Sequence, residues 1–197
     1  MKEWEWIETV PYFSLYPEPQ KRIRWLTPDE AKRLIQASPL YMAQMIKFSL
    51  ATGLRQHNVL TLKWQQIDLQ RKVAWYYGDE TKAGKALGVS LNEIAMQVLN
   101  EQQGKHPEYV FTNSKGTPLK NWQWRDWDLT LQRAEIENFR FHDLRHTWAS
   151  WLVQRGVPLA VLQEMGGWES VSMVQRYAHL APDHLHKHSA LLNHLLE

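Results

Sequence analysis

A stretch in the C-terminal third of the sequence brings together side chains that could act on a charged substrate. It opens with His142-x-x-Arg145-His146 and continues to Trp168 and Tyr177. These residues supply a guanidinium group, two imidazoles, an indole and a phenol. A guanidinium can hold two oxygens of an oxyanion at once, and a phenol becomes a nucleophile when its proton is removed or its anion is stabilised.

Local signals predict three short helices that would bring these groups to one place. The apolar residues at helical spacing in the first helix are Leu144, Trp148, Trp151 and Leu152. They predict a helix over residues 144–155 with that face turned inward. Gly156 ends this helix, Pro158 starts a second one that stops at residues 166–167, and a third carries Tyr177 near its end. Short helices with tight turns can direct polar groups into one pocket.

The spacing of these residues resembles the signature of a known family, the tyrosine recombinases or phage integrases. The resemblance rests on His142-x-x-Arg145-His146 and on Trp168, which stands nine residues before Tyr177. In that family, His or Trp occupies this position relative to the tyrosine. Each piece alone is common, but the combination is specific.

Two upstream motifs extend the resemblance. The sequence Ala-Thr-Gly-Leu-Arg ending at Arg55 is similar to the family's first arginine motif, and Thr81-Lys82-x-x-Lys85 is similar to its lysine hairpin. The similarity covers roughly residues 23–185. Many family members carry an acidic residue three positions after the first arginine, whereas this chain has Asn58, which leaves open how Arg55 is held.

The resemblance implies a fold and an activity. We expect an α+β fold, mostly α-helical, with a small antiparallel sheet. The implied activity is site-specific DNA recombination, as in phage or prophage integration and excision, by strand cleavage and rejoining through a 3′-phosphotyrosyl intermediate. No metal or nucleotide cofactor is implied, because the covalent link conserves the energy of the broken bond. The implied partner is double-stranded DNA, bound by a homotetramer that exchanges C-terminal helices, with accessory DNA-bending proteins as further candidates.

The resemblance also assigns catalytic roles. The six candidate catalytic residues are Arg55, Lys82, His142, Arg145, Trp168 and Tyr177. The two arginines would bind phosphoryl oxygens, and Tyr177 would attack phosphorus. His142 would either bond a non-bridging oxygen or accept a proton, and Trp168 would offer an indole N–H and a flat surface. Lys82 would protonate the departing 5′-oxygen, with Lys85 as the rival for that role.

The same residues allow other interpretations. His142-x-x-x-His146 has the spacing of a zinc-binding helix, but Asp143 replaces the glutamate of that motif and Arg145 lies between the histidines, so metal binding is not expected. His146 is expected to be a hydrogen-bonded structural neighbour. Two functional rivals stay open: a type IB topoisomerase-like enzyme that relaxes DNA, and a DNA-binding remnant without productive catalysis.

Composition limits the class of protein. The chain has 197 residues, no cysteine and a formal net charge of +2, with an isoelectric point near 8.8. Absence of cysteine excludes disulfides and thiol catalysis and fits a reducing cytosol. The resemblance implies a cytoplasmic protein that acts at a bacterial nucleoid or in a phage-infected cell. We expect residues 1–24 to form an irregular arm or linker and residues 25–197 to form the catalytic domain, without the family's N-terminal core-binding domain.

The remaining elements are predicted from periodicity and capping signals. Helices are expected over residues 28–37, 41–51, 56–62 and 93–103, over a segment ending near residue 134, and in a leucine-rich tail. Strands are expected over residues 67–69, 73–77, 86–91 and 109–111. The polar turn at 78–84 would place Lys82 on a hairpin loop, where functional groups are common.

Overall fold

The computed structural model describes residues 23–77, 86–119 and 123–181. Within these ranges the chain forms eight α-helices and one three-stranded sheet. The helices are α1 (Pro28–Ala37), α2 (Leu40–Thr52), α3 (Gln56–Leu60), α4 (Glu93–Gln102), α5 (Trp124–Ala134), α6 (Asp143–Gln154), α7 (Leu159–Gly166) and α8 (Val171–Gln175). The strands are β1 (Ile67–Asp68), β2 (Val73–Tyr76) and β3 (Leu87–Ser90). The predicted mostly helical α+β class is confirmed.

The first helices begin and end at the signals that the sequence carries. The Thr27 hydroxyl accepts a hydrogen bond from the Glu30 N–H, and the Glu30 carboxylate accepts one from the Thr27 N–H, so the predicted capping box starts α1. α2 ends where Gly53 adopts a left-handed conformation with φ +66°. Arg55 follows two residues later as the N-cap residue of α3. The turn that ends α2 therefore determines where Arg55 lies.

The sheet is antiparallel, in the order β1-β2-β3. Ala74 and Tyr76 of β2 are buried, whereas Trp75 between them is 46% exposed, which is the alternation expected of a sheet with one face on the core. The connection between β2 and β3 contains residues 78–85. The predicted loop with Lys82 therefore lies outside the described residues.

The main core surrounds α2, which packs against α4 on one side and α6 on the other. Met42, Met45, Ile46 and Phe48 on α2 are fully buried, so this helix is apolar on more than one face, as a helix enclosed by neighbours must be. A second, smaller hydrophobic cluster joins α6, α7 and α8. Its buried members are Trp148, Ala149, Val153, Leu162, Val174 and Tyr177. Because α6 borders both clusters, it links the candidate nucleophile to the main core.

The predicted strand over residues 109–111 was wrong in extent. Tyr109 forms only a single antiparallel bridge, with Lys63. Two backbone hydrogen bonds flank it, from the Trp64 N–H to the Glu108 carbonyl and from the Val110 N–H to the Leu62 carbonyl. The pairing stops there because the chain on the other side turns into a 3-10 turn at Trp64–Gln66.

Two further predictions concern segments outside the described residues. The irregular arm falls almost entirely within residues 1–22, and the leucine-rich tail falls within residues 182–197. Among the described helices, none is long and apolar enough to cross a bilayer.

Candidate active site

Arg145 is the fixed centre of the site. It lies in the first turns of α6 and is only 4% exposed. Its Nη1 donates a hydrogen bond of 2.7 Å to the Gly53 carbonyl, and its Nη2 donates one of 2.6 Å to the Gly166 carbonyl. The guanidinium carbon lies 3.9 Å from the centre of the Trp168 ring, in a cation–π contact. Arg145 thus connects the end of α2 to the end of α7 and fixes the indole above itself.

Two glycines make this packing possible. A β-carbon at Gly53 would lie 2.3 Å from the Trp148 ring, and one at Gly166 would lie 2.0 Å from the Trp168 ring. The two indoles are stacked, with their centroids 6.1 Å apart and an interplanar angle of 25°. Both carbonyls that accept hydrogen bonds from Arg145 therefore belong to glycines that cannot be replaced by a larger residue without a clash.

Arg55 provides a second cation beside the first. Burial and the charge of Arg55 lower the pKa of Arg145 to about 9, so Arg145 remains mostly protonated at neutral pH. Arg55 is partly exposed and lines an open cavity of about 490 Å³ together with Gly167 and Trp168. Of the two guanidinium groups only that of Arg55 lines the cavity, whose wall also contains Glu164 and Glu169. An anion bound to both arginines would relieve their mutual repulsion.

Tyr177 lies two residues beyond the end of α8, where a 3-10 turn begins, and not inside the third helix as predicted. It is buried, with 1% exposure. Its hydroxyl lies 2.6 Å from Nδ1 of His146, and its ring centroid lies 6.1 Å from that of Trp168. Burial raises the pKa of Tyr177 to about 12, although the charges of Arg145 and Arg176 oppose the shift. The phenol is therefore protonated at neutral pH and must be activated before it can attack.

The two histidines of the motif are both neutral at pH 7. Burial lowers the pKa of His146 to about 4, with further lowering by the neighbouring His142 ring and by the charges of Arg176, Arg145 and Arg140. Partial burial also lowers the pKa of His142, assisted by the charge of Arg145. A neutral His146 can accept at Nδ1, so we assign the Tyr177 hydroxyl as the donor of their hydrogen bond. The ring of His142 lies edge-on to that of His146, with centroids 5.2 Å apart.

The structure brings together five of the six residues singled out in the sequence. They are Arg55, His142, Arg145, Trp168 and Tyr177. Lys82 lies outside the described residues, so its position stays a prediction. The expectation that His146 is a hydrogen-bonded neighbour is confirmed, and its partner is the candidate nucleophile itself.

Sequence reasoning missed three contributors to the site. It placed Gly53 only within the first arginine motif and Gly166 only at the end of a helix, whereas their carbonyls hold Arg145. It gave Arg140 no role, although its charge reaches both histidines. The roles of Gly53 and Gly166 could have been suspected because each lies two residues before a motif residue, Arg55 and Trp168 respectively.

This arrangement has the elements of phosphoryl transfer. Two arginines can neutralise non-bridging oxygens, and an aromatic surface shields one of them from water. A phenol stands beside Arg145, and the neutral imidazole of His142 is available to donate or accept a proton. No group in this set selects one nucleotide sequence over another.

Comparisons with known proteins agree with this geometry. The sequence profile described as "Phage integrase family" matches residues 24–184. The integrase of Salmonella phage P22 is 50% identical over 200 aligned residues, which cover 95% of this chain and 52% of the phage protein. A shufflon-specific DNA recombinase of Escherichia coli is 32% identical, over 81% of this chain and 41% of that protein. This chain therefore spans about half the length of these curated relatives or less.

Solved structures show the same fold. The catalytic domain of bacteriophage HP1 integrase superposes with a TM-score of 0.68 at 25% sequence identity, covering 86% of this chain and 94% of that domain. XerA recombinase superposes with a TM-score of 0.67 at 24% identity, covering 91% of this chain and 67% of that one. Motif, site geometry, profile and fold lead to one conclusion: the chain belongs to the phage integrase family of tyrosine recombinases.

Proposed function

We propose that this chain is the catalytic part of a site-specific DNA recombinase that serves phage or prophage integration and excision. The reaction cuts one DNA strand and rejoins it through a 3′-phosphotyrosyl link on Tyr177. The observation that carries this proposal is the placement of a phenol beside Arg145, which in turn lies near Arg55. Neither of these two arginines has a carboxylate ion-pair partner among the described residues.

The biological setting of the proposal comes from the relatives. The phage P22 protein is an integrase and the Escherichia coli protein is a DNA recombinase, which favours recombination over a topoisomerase-like relaxation of DNA. Such an enzyme would act on DNA in the cytoplasm, at a bacterial nucleoid or in a phage-infected cell.

Binding of the scissile phosphate is the first task of the site. A phosphodiester is an anion that repels nucleophiles and gains charge on its equatorial oxygens in the transition state. Arg55 and Arg145 would hold those oxygens. Arg145 is already fixed by two backbone carbonyls and by Trp168, so little reorganisation is needed when the substrate binds.

Activation of the nucleophile is the second task. The Tyr177 hydroxyl must leave its hydrogen bond to His146 and turn toward the phosphate, because it is buried in this structure. The proton of the hydroxyl then has to be removed as its oxygen bonds to phosphorus. His142, which is neutral and exposed, would either accept that proton or donate a hydrogen bond to a non-bridging oxygen.

Departure of the 5′-oxygen is the third task. An alkoxide is a poor leaving group, so a general acid should protonate it. Lys82 is our candidate for this acid, on the resemblance of its motif to the lysine hairpin of the family. The reverse reaction, attack of a free 5′-hydroxyl on the phosphotyrosyl bond, rejoins the strand. Since the covalent link retains the energy of the phosphodiester, neither a metal nor a nucleotide is required.

Assembly is proposed on the same resemblance. We expect the active unit on DNA to be a homotetramer in which protomers exchange their C-terminal helices, with residues 25–197 as the catalytic domain and residues 1–24 as a connecting arm. Accessory DNA-bending proteins would help to bring two sites together. DNA as the partner is consistent with related folds solved on DNA, among them XerH recombinase bound to its difH substrate, at 20% identity and a TM-score of 0.66.

A covalent-trapping experiment tests the proposal. The chain is incubated in excess chelator with a pool of nicked duplexes of randomised sequence, and the products are separated on a denaturing gel. We expect an SDS-stable protein–DNA adduct, whose sequenced DNA identifies a preferred suicide duplex. Tyr177→Phe should give no adduct. Tyr41→Phe, which loses only a hydrogen bond to Asp126 elsewhere in the fold, should give the adduct as before.

Two results would contradict the proposal. An adduct that forms equally with Tyr177→Phe would exclude this phenol as the nucleophile. An adduct that disappears on chelation would exclude metal-free chemistry.

A further inference from the structure

A second cavity, of about 710 Å³, lies beside His146. Four segments form its wall: the extended chain before α1, the loop before α6, the first turn of α6 and the residue that ends α8. Its lining residues include Arg24, Arg140, Asp143, His146 and Arg176. None of the six candidate catalytic residues is among them, so the roles assigned above leave this cavity unused.

The cavity carries an excess of positive charge. Arg24 is already paired with the carboxylate of Glu30 at 2.6 Å. Asp143, the acidic lining residue, accepts a 2.7 Å hydrogen bond from the backbone N–H of Arg140. Arg140 and Arg176 are exposed, and neither guanidinium has an ion-pair partner within residues 23–77, 86–119 and 123–181. Two arginines are thus available to a ligand.

The cavity reaches close to the nucleophile. His146 lines it and bonds the Tyr177 hydroxyl through Nδ1 at 2.6 Å. Only one imidazole ring therefore separates the cavity from the reacting oxygen. The charges of Arg140 and Arg176 are among those that lower the pKa of His146, which agrees with guanidinium groups near that ring.

Because the cavity lies one imidazole ring from the nucleophile, a DNA strand bound for cleavage would run beside it. Each strand carries one phosphate per about 3.4 Å of helix rise, so the neighbours of the scissile phosphate lie only a few ångströms further along the groove. A ligand that fits two arginines at that distance is a phosphate monoanion, because the planar guanidinium binds two of its oxygens at once.

We propose that Arg140 and Arg176 together bind the backbone phosphate adjacent to the one that Tyr177 attacks. This subsite rests on the proposed function and extends it. The subsite would hold the strand on one side of Tyr177 while Arg55 and Arg145 hold the scissile phosphate on the other. The strand could then not slide along the site, and the same phosphate would always face the nucleophile. Its contacts are to the backbone and therefore carry no base specificity.

Interference by single methylphosphonates tests the proposal. The preferred suicide duplex is synthesised with one neutral methylphosphonate at each position flanking the cut in turn. On wild-type protein, the substitution at one adjacent position should weaken binding roughly ten- to hundredfold, the loss expected for charge-assisted hydrogen bonds. Arg140→Gln and Arg176→Gln should each bind the unmodified duplex more weakly. Each single variant should be less sensitive than wild type to the methylphosphonate at that same position, and the double variant should be insensitive to it.

The salt dependence of binding provides a second readout. Loss of one phosphate contact lowers the slope of log K against log salt by about 0.9. If the two arginines share one phosphate, the double variant Arg140→Gln/Arg176→Gln should lose about one unit of slope. A loss near two would mean separate phosphates and would overturn the shared subsite. No loss would mean that neither arginine contacts DNA.

A matched control shows whether the effects belong to this cavity. Arg133→Gln, an exposed arginine in the last turn of α5 outside the cavity, should keep wild-type sensitivity at every position.

The outcomes also separate the subsite from the proposed function on which it rests. If wild type gives no adduct, the proposed function fails. If wild type cleaves DNA but the arginine variants remain as sensitive as wild type to a methylphosphonate at every flanking position, only the subsite proposal fails.

Discussion

Substitution of Gly53 by alanine isolates the packing that holds Arg145. Gly53 has φ +66°, and a β-carbon there would lie 2.3 Å from two carbons of the Trp148 ring and 2.8 Å from a third. The left-handed conformation costs a non-glycine residue about 1–2 kcal/mol. Overpacking against a buried ring adds about 1–3 kcal/mol. The reduced freedom of the unfolded chain offsets less than about 1 kcal/mol of this.

The expected net effect is a loss of about 2–4 kcal/mol in the free energy of unfolding. For a chain of this size, that corresponds to a fall of roughly 10 °C in Tm. Gly156→Ala is the matched control, because Gly156 also has a positive φ, +84°, but a β-carbon there would meet nothing within 4 Å. It should lose only the conformational part, about 1–2 kcal/mol.

Thermal and urea unfolding of both variants measure the difference directly. A compensating change, Trp148→Phe, should recover part of the loss in Gly53→Ala and none of the loss in Gly156→Ala, and a double-mutant cycle gives the coupling. Equal destabilisation of the two glycine variants would refute the reasoning, since the contact with the indole would then contribute nothing. The cleavage rate of Gly53→Ala should fall by more than the loss of folded protein explains, because the carbonyl of residue 53 holds Arg145.

Three other predictions test separate parts of the site. Lys82→Ala should cleave ordinary DNA about 10²–10⁴-fold more slowly than wild type, but its cleavage rate should recover on a duplex whose bridging 5′-oxygen is replaced by sulfur. Lys85→Ala should cleave both duplexes at nearly the wild-type rate. The reverse pattern would identify Lys85 as the general acid. Arg145→Lys should lose about 10²-fold or more in cleavage rate, because one ammonium group cannot replace two fixed N–H donors and a planar group stacked on an indole. Full cleavage activity in this variant would show that the guanidinium geometry is not required. His146 has a folded-state pKa of about 4 against 6.5 in the unfolded chain, so the unfolded chain binds more protons between these values and the free energy of unfolding should fall as pH drops from about 6.5 to 4. In His146→Asn this part of the pH dependence should disappear, and an unchanged profile in urea titrations would show that His146 does not cause it.

Local features of the fold could be predicted from the sequence because their signals are local. The capping box at Thr27 and Glu30 is three residues wide and marks the start of α1 without reference to anything else. The three short helices around Tyr177 were predicted from glycine, proline and apolar spacing. The run at residues 109–111 misled the prediction, because its apolar character reflects burial of Val110 and Phe111 in the core and not membership of the sheet.

The contacts that build the site could not be predicted in the same way. The carbonyls that hold Arg145 come from residues 92 and 21 positions away, and the bond between His146 and Tyr177 spans 31 positions. Every residue has a backbone carbonyl, so the sequence does not indicate which carbonyls accept these hydrogen bonds. The motif spacing identified which side chains meet, but the network that fixes them depends on how α2, α6 and α7 pack.

The residue that becomes linked to DNA is the most direct measure of the proposed chemistry. The adduct formed on the preferred suicide duplex in excess chelator is digested with trypsin and nuclease, and the modified peptide is sequenced by mass spectrometry. Cleavage after Arg176 and Lys187 places Tyr177 at the start of its own peptide, residues 177–187. We predict a nucleotide joined through its 3′-phosphate to Tyr177. A nucleotide on any other residue, or a 5′-phosphate linkage, would contradict this chemistry.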